Sequence, residues 1–302
     1  MPDPFGGLSL KRPIREHEPL HPYTTWRVGG TARWFWEADK DDLPEVLRRS
    51  QRAGIAVRVL GRGSNVLVDS RGFDGLVICF RNSLDEMTIE GLTVRAGAGV
   101  LLPTLARNAA RAGLAGFSFM VGIPGSVGGG TVMNAGLTAK GRQEMSTILS
   151  SAVVVDMVTG ETSTVGADAL GLGYRESTVL ANRWIIVEAV FKAPAHGDPI
   201  ELRAETRNHL RDRQAKQPLD RKTAGSTFKQ PAGGSAAGWY IEQAGLKGYQ
   251  IGNAMISHKH ANWIENTGSA TSDDIRNLME HVQETVGSRF DVRLDPEVTF
   301  LI

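Results

Sequence analysis

The amino-acid sequence predicts an α+β protein with two domains, for three reasons. Its 302 residues exceed the usual size of one domain. The first two thirds alternate short strand-like runs with amphipathic helical segments. The character changes near residue 196, where the segment 195–199, Ala-His-Gly-Asp-Pro, is typical of a linker. We therefore predict a mixed domain with many short strands over residues 1–196 and a smaller α+β domain over residues 197–302.

The first predicted domain contains both kinds of element. Residues 42–53 carry apolar side chains at helical spacing and are followed by Gly54, a common stop signal. A second helix is predicted over residues 103–112, because proline stands at its start and Gly113 just past its end. Apolar runs predict strands at residues 56–60, 66–68, 76–80, 92–95, 152–155 and 184–191.

The second predicted domain begins with a polar, arginine-rich helix. Its helices are predicted over residues 201–216, 235–244 and 272–286, and a strand over residues 298–302. Thr271 and Asp274 have the spacing of a capping box before the third helix, whose apolar stripe indicates core packing. A long loop is predicted over residues 217–234, and loops of this length are often functional.

Composition excludes several classes of protein. The formal net charge of +1 is too balanced for a protein that binds nucleic acid by neutralising phosphates. Cys79 is the only cysteine, which excludes an intrachain disulfide, and its apolar neighbours indicate a buried core residue. No segment is typical of a signal peptide or of a membrane span. We expect a soluble cytoplasmic protein that binds neither nucleic acid nor membrane.

The most informative segment is a glycine-rich run at residues 122–136, GIPGSVGGGTVMNAG, in which six residues are glycine. Glycine adopts positive φ and lets another group approach its N–H closely. Successive exposed N–H groups form a concave site for anions such as phosphate. The run therefore predicts a cradle for the diphosphate of a large cofactor.

A second glycine loop, Gly-Arg-Gly-Ser-Asn at residues 61–65, directly precedes the apolar run 66–68. Either loop alone is equally well interpreted as a tight turn, but two such loops beside strand-like segments favour cofactor binding. Residues 61–66 end in valine where the Rossmann pattern requires a third glycine, and no Walker triplet occurs. The predicted cofactor site therefore belongs to another fold.

Three residues are candidates for catalysis, each with a simpler alternative. Ser226 lies in the long loop without the Gly-x-Ser-x-Gly elbow of hydrolases, so it is either a proton donor or a turn residue. Arg175 could bind a carboxylate or enolate bidentately, or it could be an ordinary surface arginine. Glu297 precedes the C-terminal strand, where most glutamates are simply solvated.

Two pairs of polar residues in the second predicted domain also have the spacing of possible ligand-binding groups. Arg213 and Lys216 lie three residues apart on the polar helix, so they could clamp a diphosphate or form a solvated face. His258 and His260 share one face of an extended segment, but two ligands are too few for a structural metal site. No metal is therefore predicted.

Several motifs occur in a fixed order along nearly the whole chain. They are YTTWRVGG at 23–30, the loop and strand at 61–68, the run at 122–136, YRES at 174–177, AGSTFK at 224–229, AGLKG at 244–248, HAN at 260–262 and PE at 296–297. No single motif is decisive, but their joint order and spacing are highly specific. The sequence strongly resembles the UDP-N-acetylenolpyruvoylglucosamine reductase family.

This resemblance implies a fold and an activity. The fold would be an FAD-binding domain of the vanillyl-alcohol-oxidase or PCMH type, made of two α+β subdomains, followed by a substrate-binding domain. The enzyme would use NADPH and FAD to reduce UDP-N-acetyl-3-O-(1-carboxyvinyl)-glucosamine to UDP-N-acetylmuramate. This is a cytoplasmic step of peptidoglycan precursor synthesis, hence of cell-wall formation, cell shape and division. The partner would be a sugar nucleotide, and we expect a monomer or weak dimer.

The resemblance also implies roles for individual residues. Arg175 and Glu297 would polarise the enolpyruvyl carboxylate and stabilise the enolic intermediate, and Ser226 would donate the proton. The implied cofactor-binding residues are Arg27, Gly29, Gly61, Arg62, Gly63, Ser64, Asn65, Gly122, Ile123, Pro124, Gly125, Ser126, Gly128, Gly129, Asn134 and Ala135. The implied substrate-binding residues are Tyr174, Arg213, Lys216, Lys229, Lys247 and His260.

The sequence departs from the family pattern at two positions that bear on contacts with the flavin. Leu137, Thr138 and Ala139 follow Gly136 where the family often has alanine-tyrosine-glycine. Ser118 stands where a glutamate is common shortly before the glycine-rich run. The chain also lacks a counterpart of the tyrosine-bearing loop that one subtype places over the substrate, so it is similar to the subtype without that loop.

Two other functions are compatible with the glycine loops. The first is an FAD-dependent alcohol or lactone oxidase on the same fold. The second is a flavin- or nucleotide-binding module without catalytic activity. The combination of Arg175, Ser226 and Glu297 argues against an oxidase, because an oxidase needs a base that accepts a proton rather than a donor.

Overall fold

A computed structural model describes residues 4–137 and 143–302 of the chain. These residues form two compact units, each assembled from segments that are distant in sequence. The first unit comprises Met1–Arg15, Trp34–Arg62 and Gly75–Asp212, and the second comprises Glu16–Arg33, Gly63–Asp74 and Arg213–Ile302. The predicted division into domains at residues 196 and 197 stays a prediction.

The helices largely follow the sequence patterns. They are α1 (Leu43–Arg52), α2 (Leu102–Arg111), α3 (Val127–Val132), α4 (Pro199–Lys216), α5 (Ala237–Gln243) and α6 (Ser272–Phe290). Short 3-10 helices occur at His21–Tyr23, Ser118–Gly122, Met145–Thr147 and Ala167–Leu170. Helix α6 begins with the predicted capping box, in which Thr271 and Asp274 bond reciprocally. Helix α3 was not predicted, because its glycine-rich sequence has low helix propensity and indicated a loop.

The strands are short, as the apolar runs predicted. They are β1 (Arg15–Pro19), β2 (Thr31–Glu37), β3 (Val57–Leu60), β4 (Val66–Val68), β5 (Phe73–Cys79), β6 (Met87–Glu90), β7 (Thr93–Gly97), β8 (Gly136–Leu137), β9 (Gln143–Glu144), β10 (Leu149–Asp156), β11 (Thr162–Gly166), β12 (Trp184–Lys192), β13 (Gln250–Ile251), β14 (Ala254–Ile256), β15 (Ile264–Asn266) and β16 (Thr299–Leu301). The predicted runs correspond to β3, β4, β5, β7, β10, β12 and β16, whereas the other strands were not predicted: β1, β2, β6, β8, β9, β11, β13, β14 and β15. The first sheet of the chain has the strand order β1-β2-β5-β3.

The core of the first unit is built on a five-stranded antiparallel sheet with the order β11-β10-β12-β7-β6. Its main apolar cluster includes the buried side chains Leu105, Phe117, Val127 and Phe191. A second cluster packs α1 through Leu47 against Leu76 and Ile78 of β5, which pairs in parallel with β3. The main cluster contains Leu105 of α2 and Val127 of α3, so it fixes the position of α2 and of α3, which lies within the glycine-rich run.

The core of the second unit forms between α6 and the three-stranded sheet β13-β14-β15. Trp26 is fully buried in this core and donates its indole N–H to the Ile264 carbonyl at 2.7 Å. Strand β16 pairs in parallel with β4, so that Leu67 enters the same apolar cluster as the helix residues Ile275 and Leu278. Segments from three parts of the sequence therefore share one core.

The structure also bears on cysteine chemistry, membrane spans and metal clusters. Cys79 is fully buried, and this burial raises the pKa of its thiol to about 11, as expected for a core residue. Within residues 4–137 and 143–302, no helix has the length and apolar character needed to cross a membrane. In the same described ranges, no three His, Cys, Asp or Glu side chains cluster as they would around a metal ion.

Candidate active site

The start of the loop 61–65 and the glycine-rich run come together within the first unit, to which Gly61 and Arg62 belong. A Cβ placed on Gly61 would lie 3.3 Å from the Ser126 hydroxyl and 3.9 Å from the Gly129 Cα. The surroundings of Gly61 are thus formed by the glycine-rich run, far away in sequence. A contact of 3.3 Å is tight for a Cβ, so the two segments approach this closely because position 61 has no side chain.

The start of α3 offers N–H donors beside Gly61. The N–H groups of Val127 and Gly128 donate to the carbonyls of Val100 and Ala98. Within the described part of the chain, no backbone acceptor receives the N–H of Ser126 or of Gly129. Gly129 is exposed, and Ser126 begins the helix without capping it through its side chain. Two donors therefore remain beside Gly61 for an anion.

Two glycines of the run serve packing. A Cβ on Gly128 would lie 2.9 Å from the Ala98 Cβ, and one on Gly130 would lie 2.9 Å from the Met145 sulfur. Both contacts are too close for any side chain, so α3 approaches its neighbours only because these positions are glycine. The cofactor contact predicted for Gly128 stays a prediction.

A pair of arginines provides positive charge at the first loop. Burial lowers the pKa of Arg62, and the charge of Arg81 lowers it further. A guanidinium stays protonated at any pH of interest, so the lowered pKa reflects mainly the partial burial of Arg62, with the charge of Arg81 as a smaller cause. Their neighbourhood favours an anion, which agrees with the predicted diphosphate contact of Arg62.

Arg175 is held against the end of the glycine-rich run. Its guanidinium donates to the Gly136 carbonyl at 2.7 Å and to the Asn134 carbonyl at 3.3 Å, and it lies 3.7 Å from Glu144. The side chain is only 11% exposed, and its guanidinium carbon lies over the ring of Tyr174, 5.1 Å from the ring centroid. The residue itself has φ of 58°, a conformation that is uncommon outside glycine. These contacts fix the guanidinium in one orientation.

Sequence reasoning missed Glu144. Its buried carboxylate accepts from the Asn134 amide at 3.1 Å and pairs with Arg175. The Asn134 amide also donates to the Gly173 carbonyl, and its oxygen accepts from the Ser146 N–H. Asn134, predicted as a cofactor ligand, therefore joins three segments with its side chain. Nothing in the local sequence around Glu144 signals this role.

The departure at Ser118 has a structural explanation. The Ser118 hydroxyl donates to the carboxylate of Glu205 on α4 at 2.6 Å, and His209 lies 3.6 Å from the same carboxylate. A carboxylate from α4 therefore reaches the position where the family pattern often supplies its own glutamate. The other departure from the family pattern is the segment that follows Gly136. Its first residue, Leu137, lies in β8, and Thr138 and Ala139 lie outside the described residues.

Ser226 and Glu297 lie on neighbouring segments of the second unit. Ser226 is bridged to Trp263, and the Glu297 N–H donates to the Thr227 carbonyl at 2.8 Å. Gly225, with φ of 80°, turns the chain just before the serine. The Thr227 hydroxyl and the Trp263 indole N–H are buried with no hydrogen-bond partner among the described residues. Sequence reasoning had no signal for these two.

Asn65 supports the segment that carries Glu297. Its side-chain amide donates to the Glu297 carbonyl at 3.1 Å, and its own carbonyl accepts from the Thr299 N–H at 3.0 Å. The nearby Gly63 has φ of 64°, and a Cβ there would collide with the Tyr23 carbonyl. Asn65 thus makes hydrogen bonds to the C-terminal segment, and Gly63 packs against Tyr23. The cofactor contacts predicted for both residues stay predictions.

A positively charged cluster in the second unit brings together three predicted substrate residues. Burial lowers the pKa of His260, and the charges of Lys247 and Arg213 lower it further. The Asn262 N–H donates to Nδ1 of His260 at 3.2 Å, which also requires a neutral ring. Lys247 is paired with Glu242 at 2.7 Å. Two cations beside a neutral imidazole are suited to an anionic ligand.

The remaining predicted residues divide between the units. Lys229 lines a cavity of about 440 Å³ with residues that were not predicted: Gln230, Pro231, Ala232, Asp291, Val292, Arg293 and Asp295. Arg27 is exposed and donates to the Pro22 carbonyl. The second unit also holds Gly29, Ser64 and Lys216, and the first unit holds Gly122, Ile123, Pro124, Gly125 and Ala135.

Comparison with known proteins decides the family. Residues 34–166 match the profile of the FAD binding domain, and residues 217–301 match that of the UDP-N-acetylenolpyruvoylglucosamine reductase C-terminal domain. UDP-N-acetylenolpyruvoylglucosamine reductase 2 of Symbiobacterium thermophilum is 43% identical over 286 residues, covering 94% of this chain and 91% of its own. The chain belongs to the UDP-N-acetylenolpyruvoylglucosamine reductase family.

Other members of this reductase family extend the match. The reductase of Synechococcus sp. strain JA-3-3Ab is 40% identical over 302 residues, covering 100% of this chain and 95% of its own. The crystal structure of the reductase from Thermus caldophilus has a TM-score of 0.79 and 33% identity, covering 97% of this chain and 100% of that chain. The predicted family and fold class, an FAD-binding α+β domain with a smaller α+β domain, are confirmed.

Proposed function

We propose that this chain is an FAD-dependent oxidoreductase that uses NADPH to reduce UDP-N-acetyl-3-O-(1-carboxyvinyl)-glucosamine to UDP-N-acetylmuramate. The observation that carries this proposal is the 40–43% identity of the chain, over at least 94% of its length, to UDP-N-acetylenolpyruvoylglucosamine reductases. The reaction supplies a precursor of peptidoglycan and therefore contributes to cell-wall formation.

The donors beside the glycine loops suit FAD. The N–H groups of Ser126 and Gly129 remain for a diphosphate, Gly129 is exposed, and Arg62 adds positive charge. When bound, FAD supplies the hydride that NADPH donates and that the vinyl carbon of the substrate receives. The chain itself binds and orients this group, and it manages charge and protons on the substrate.

Arg175 is proposed to stabilise negative charge on the substrate. Hydride addition to the vinyl carbon leaves charge on the adjacent carbon and on the carboxylate. A guanidinium held by two carbonyls and by Glu144 needs little reorganisation to meet that charge, and such preorganised groups are usually the largest contributors to catalysis. Glu297 is proposed to assist in stabilising the enolic intermediate.

Ser226 is proposed to protonate the carbon next to the carboxylate. The turn at Gly225 and the bridge to Trp263 fix the direction of the serine on its segment. A hydroxyl is a weak acid, so it can donate only to a strongly basic centre such as a developing carbanion. This role requires no base of the kind that an oxidase uses.

Substrate recognition is proposed for the positively charged cluster. Lys247 and Arg213, whose charges help to lower the pKa of His260, would bind the diphosphate of the sugar nucleotide through charge-assisted hydrogen bonds. Lys216 lies on the same helix as Arg213, and Tyr174 and Lys229 complete the proposed contacts. We further propose that the protein works in the cytoplasm as a monomer or weak dimer, without nucleic acid.

Stopped-flow absorbance tests the reaction directly. The FAD-loaded protein is first reduced by NADPH without oxygen and then mixed with the enolpyruvyl sugar nucleotide. We expect flavin absorbance to return rapidly with substrate and not with UDP-N-acetylglucosamine, the matched control that lacks the vinyl group. Equal return with both compounds, or return only with oxygen, would contradict the proposal, and the second result would indicate an oxidase.

A further inference from the structure

A cavity between α2 and α4 in the first unit is surrounded by arginines. It has a volume of about 170 Å³. Arg107 and Arg111 of α2 and Arg203 and Arg207 of α4 line it. Each pair is spaced four residues apart, which places both members on the same helix face. The remaining lining residues are Ala110, Val121, Thr206 and Leu210.

No carboxylate lines this arginine cavity. Arg111 donates to the Asn108 side chain at 3.3 Å, and Arg203 donates to the Pro199 carbonyl at 3.1 Å. Across residues 4–137 and 143–302, no ion pair joins any of the four guanidinium groups to an acidic side chain. Glu205 of α4 is engaged instead by Ser118 and His209.

The four arginines are exposed, and like charges four residues apart on a helix repel each other. The two helices here present two such pairs to one cavity. An anion in the cavity would reverse the sign of these interactions. The guanidinium group favours phosphate in particular, because its planar donors match two phosphate oxygens at once.

The size of the cavity limits the ligand. A volume of about 170 Å³ corresponds to the liquid volume of roughly five or six water molecules. Pockets for drug-sized molecules are larger, at roughly 300–1,000 Å³. The cavity therefore accommodates a phosphate or diphosphate group, and any larger attached group would extend into solvent.

We propose that the arginine cavity is a second anion site, which binds the diphosphate group of a small molecule. The site is built from residues outside the proposed catalytic and cofactor-binding set. It adjoins the glycine-rich run, because Val121 directly precedes Gly122. The inference does not rest on the proposed reductase reaction, since it follows only from the charges and dimensions of the cavity.

Isothermal titration calorimetry of the FAD-loaded full chain with inorganic pyrophosphate tests this site. Arg207→Gln should weaken binding about tenfold, the loss expected for one charge-assisted hydrogen bond in a solvated site. Arg52→Gln is the control, because it removes one exposed charge from the first unit, on α1, at a residue that does not line the cavity. Its affinity should stay within about twofold of the parent.

Each outcome bears on the proposal. A selective loss in Arg207→Gln supports the site, and repeating the titration with ADP shows whether free diphosphate or a nucleotide binds more tightly. Equal affinities in both variants, or no heat with either ligand, would overturn it. Binding of polyglutamate but not of pyrophosphate would also overturn it, since that result would indicate a surface for an acidic protein. Circular dichroism checks that both variants are folded.

Discussion

The substitution Gly129→Ala should affect the FAD-free protein and its FAD affinity in opposite directions. A Cβ at Gly129 would meet only the Ser126 hydroxyl, at 3.9 Å, which is ordinary van der Waals contact. Alanine also has the higher helix propensity and restricts the unfolded chain, so the FAD-free protein should gain about 0.5–1 kcal/mol. For a chain of this size, that gain raises the melting temperature by roughly 2 °C.

The same methyl group would occupy the space proposed for the FAD diphosphate beside Gly61 and Ser126. Overfilling a packed site costs about 1–3 kcal/mol, so FAD should bind about tenfold more weakly or worse. Titration of FAD into deflavinated protein, followed by flavin fluorescence, gives the affinity. Thermal melts of the same samples give the stability.

Gly128→Ala is the matched control one residue earlier in α3. Its Cβ would lie 2.9 Å from the Ala98 Cβ, so this variant should lose about 1–3 kcal/mol of stability without FAD. A Gly129→Ala protein that binds FAD as tightly as the parent would refute the reasoning, because the diphosphate could not then approach Gly129 closely.

Three further predictions concern the second unit. Ser226→Ala should slow substrate reduction about 10²–10⁴-fold while NADPH still reduces the flavin normally in stopped flow; equal slowing of both steps would contradict a proton donor. Because the pKa of His260 is lowered by burial and by neighbouring cations, unfolding takes up a proton and stability falls as the pH drops below about 6.5. His260→Gln should therefore reduce the decrease in melting temperature between about pH 7.5 and pH 5.5. An unchanged decrease would mean that another group causes the pH dependence. Two arginines hold the pKa of buried Asp69 far below its usual value, so its contribution is present above about pH 4 and lost in acid. Asp69→Asn should cost about 2 kcal/mol in urea unfolding at pH 7, whereas exposed Asp74→Asn should cost little.

Local signals predicted the elements whose causes are local. The capping box at Thr271 and the proline and glycine around α2 lie within a few residues of the helix ends that they determine. Strand β1 was not predicted, because none of its side chains is fully buried and its sequence therefore shows no alternation of apolar and polar residues. Helix α3 forms despite poor propensity, since close packing against Ala98 and Met145 outweighs it.

The candidate site shows the same division. The approach of the start of the loop 61–65 to the glycine-rich run could be anticipated, because a diphosphate needs several backbone donors and each loop has the composition to offer them. The buried Glu144 and the amide of Asn65 could not, because their roles depend on partners distant in sequence. The packing roles of Gly63 and Gly128 were likewise invisible, since a glycine that packs closely and one that binds a ligand look identical in sequence.

The discontinuous second unit has a consequence for how the chain matures during synthesis. Strand β4 ends at Val68, but its parallel partner begins at Thr299, 231 residues later. Ribosomes add about 5–20 residues per second, so β4 emerges roughly 10–50 s before its partner exists. The first unit can complete its fold in that interval, whereas the second cannot close until translation has passed Leu301.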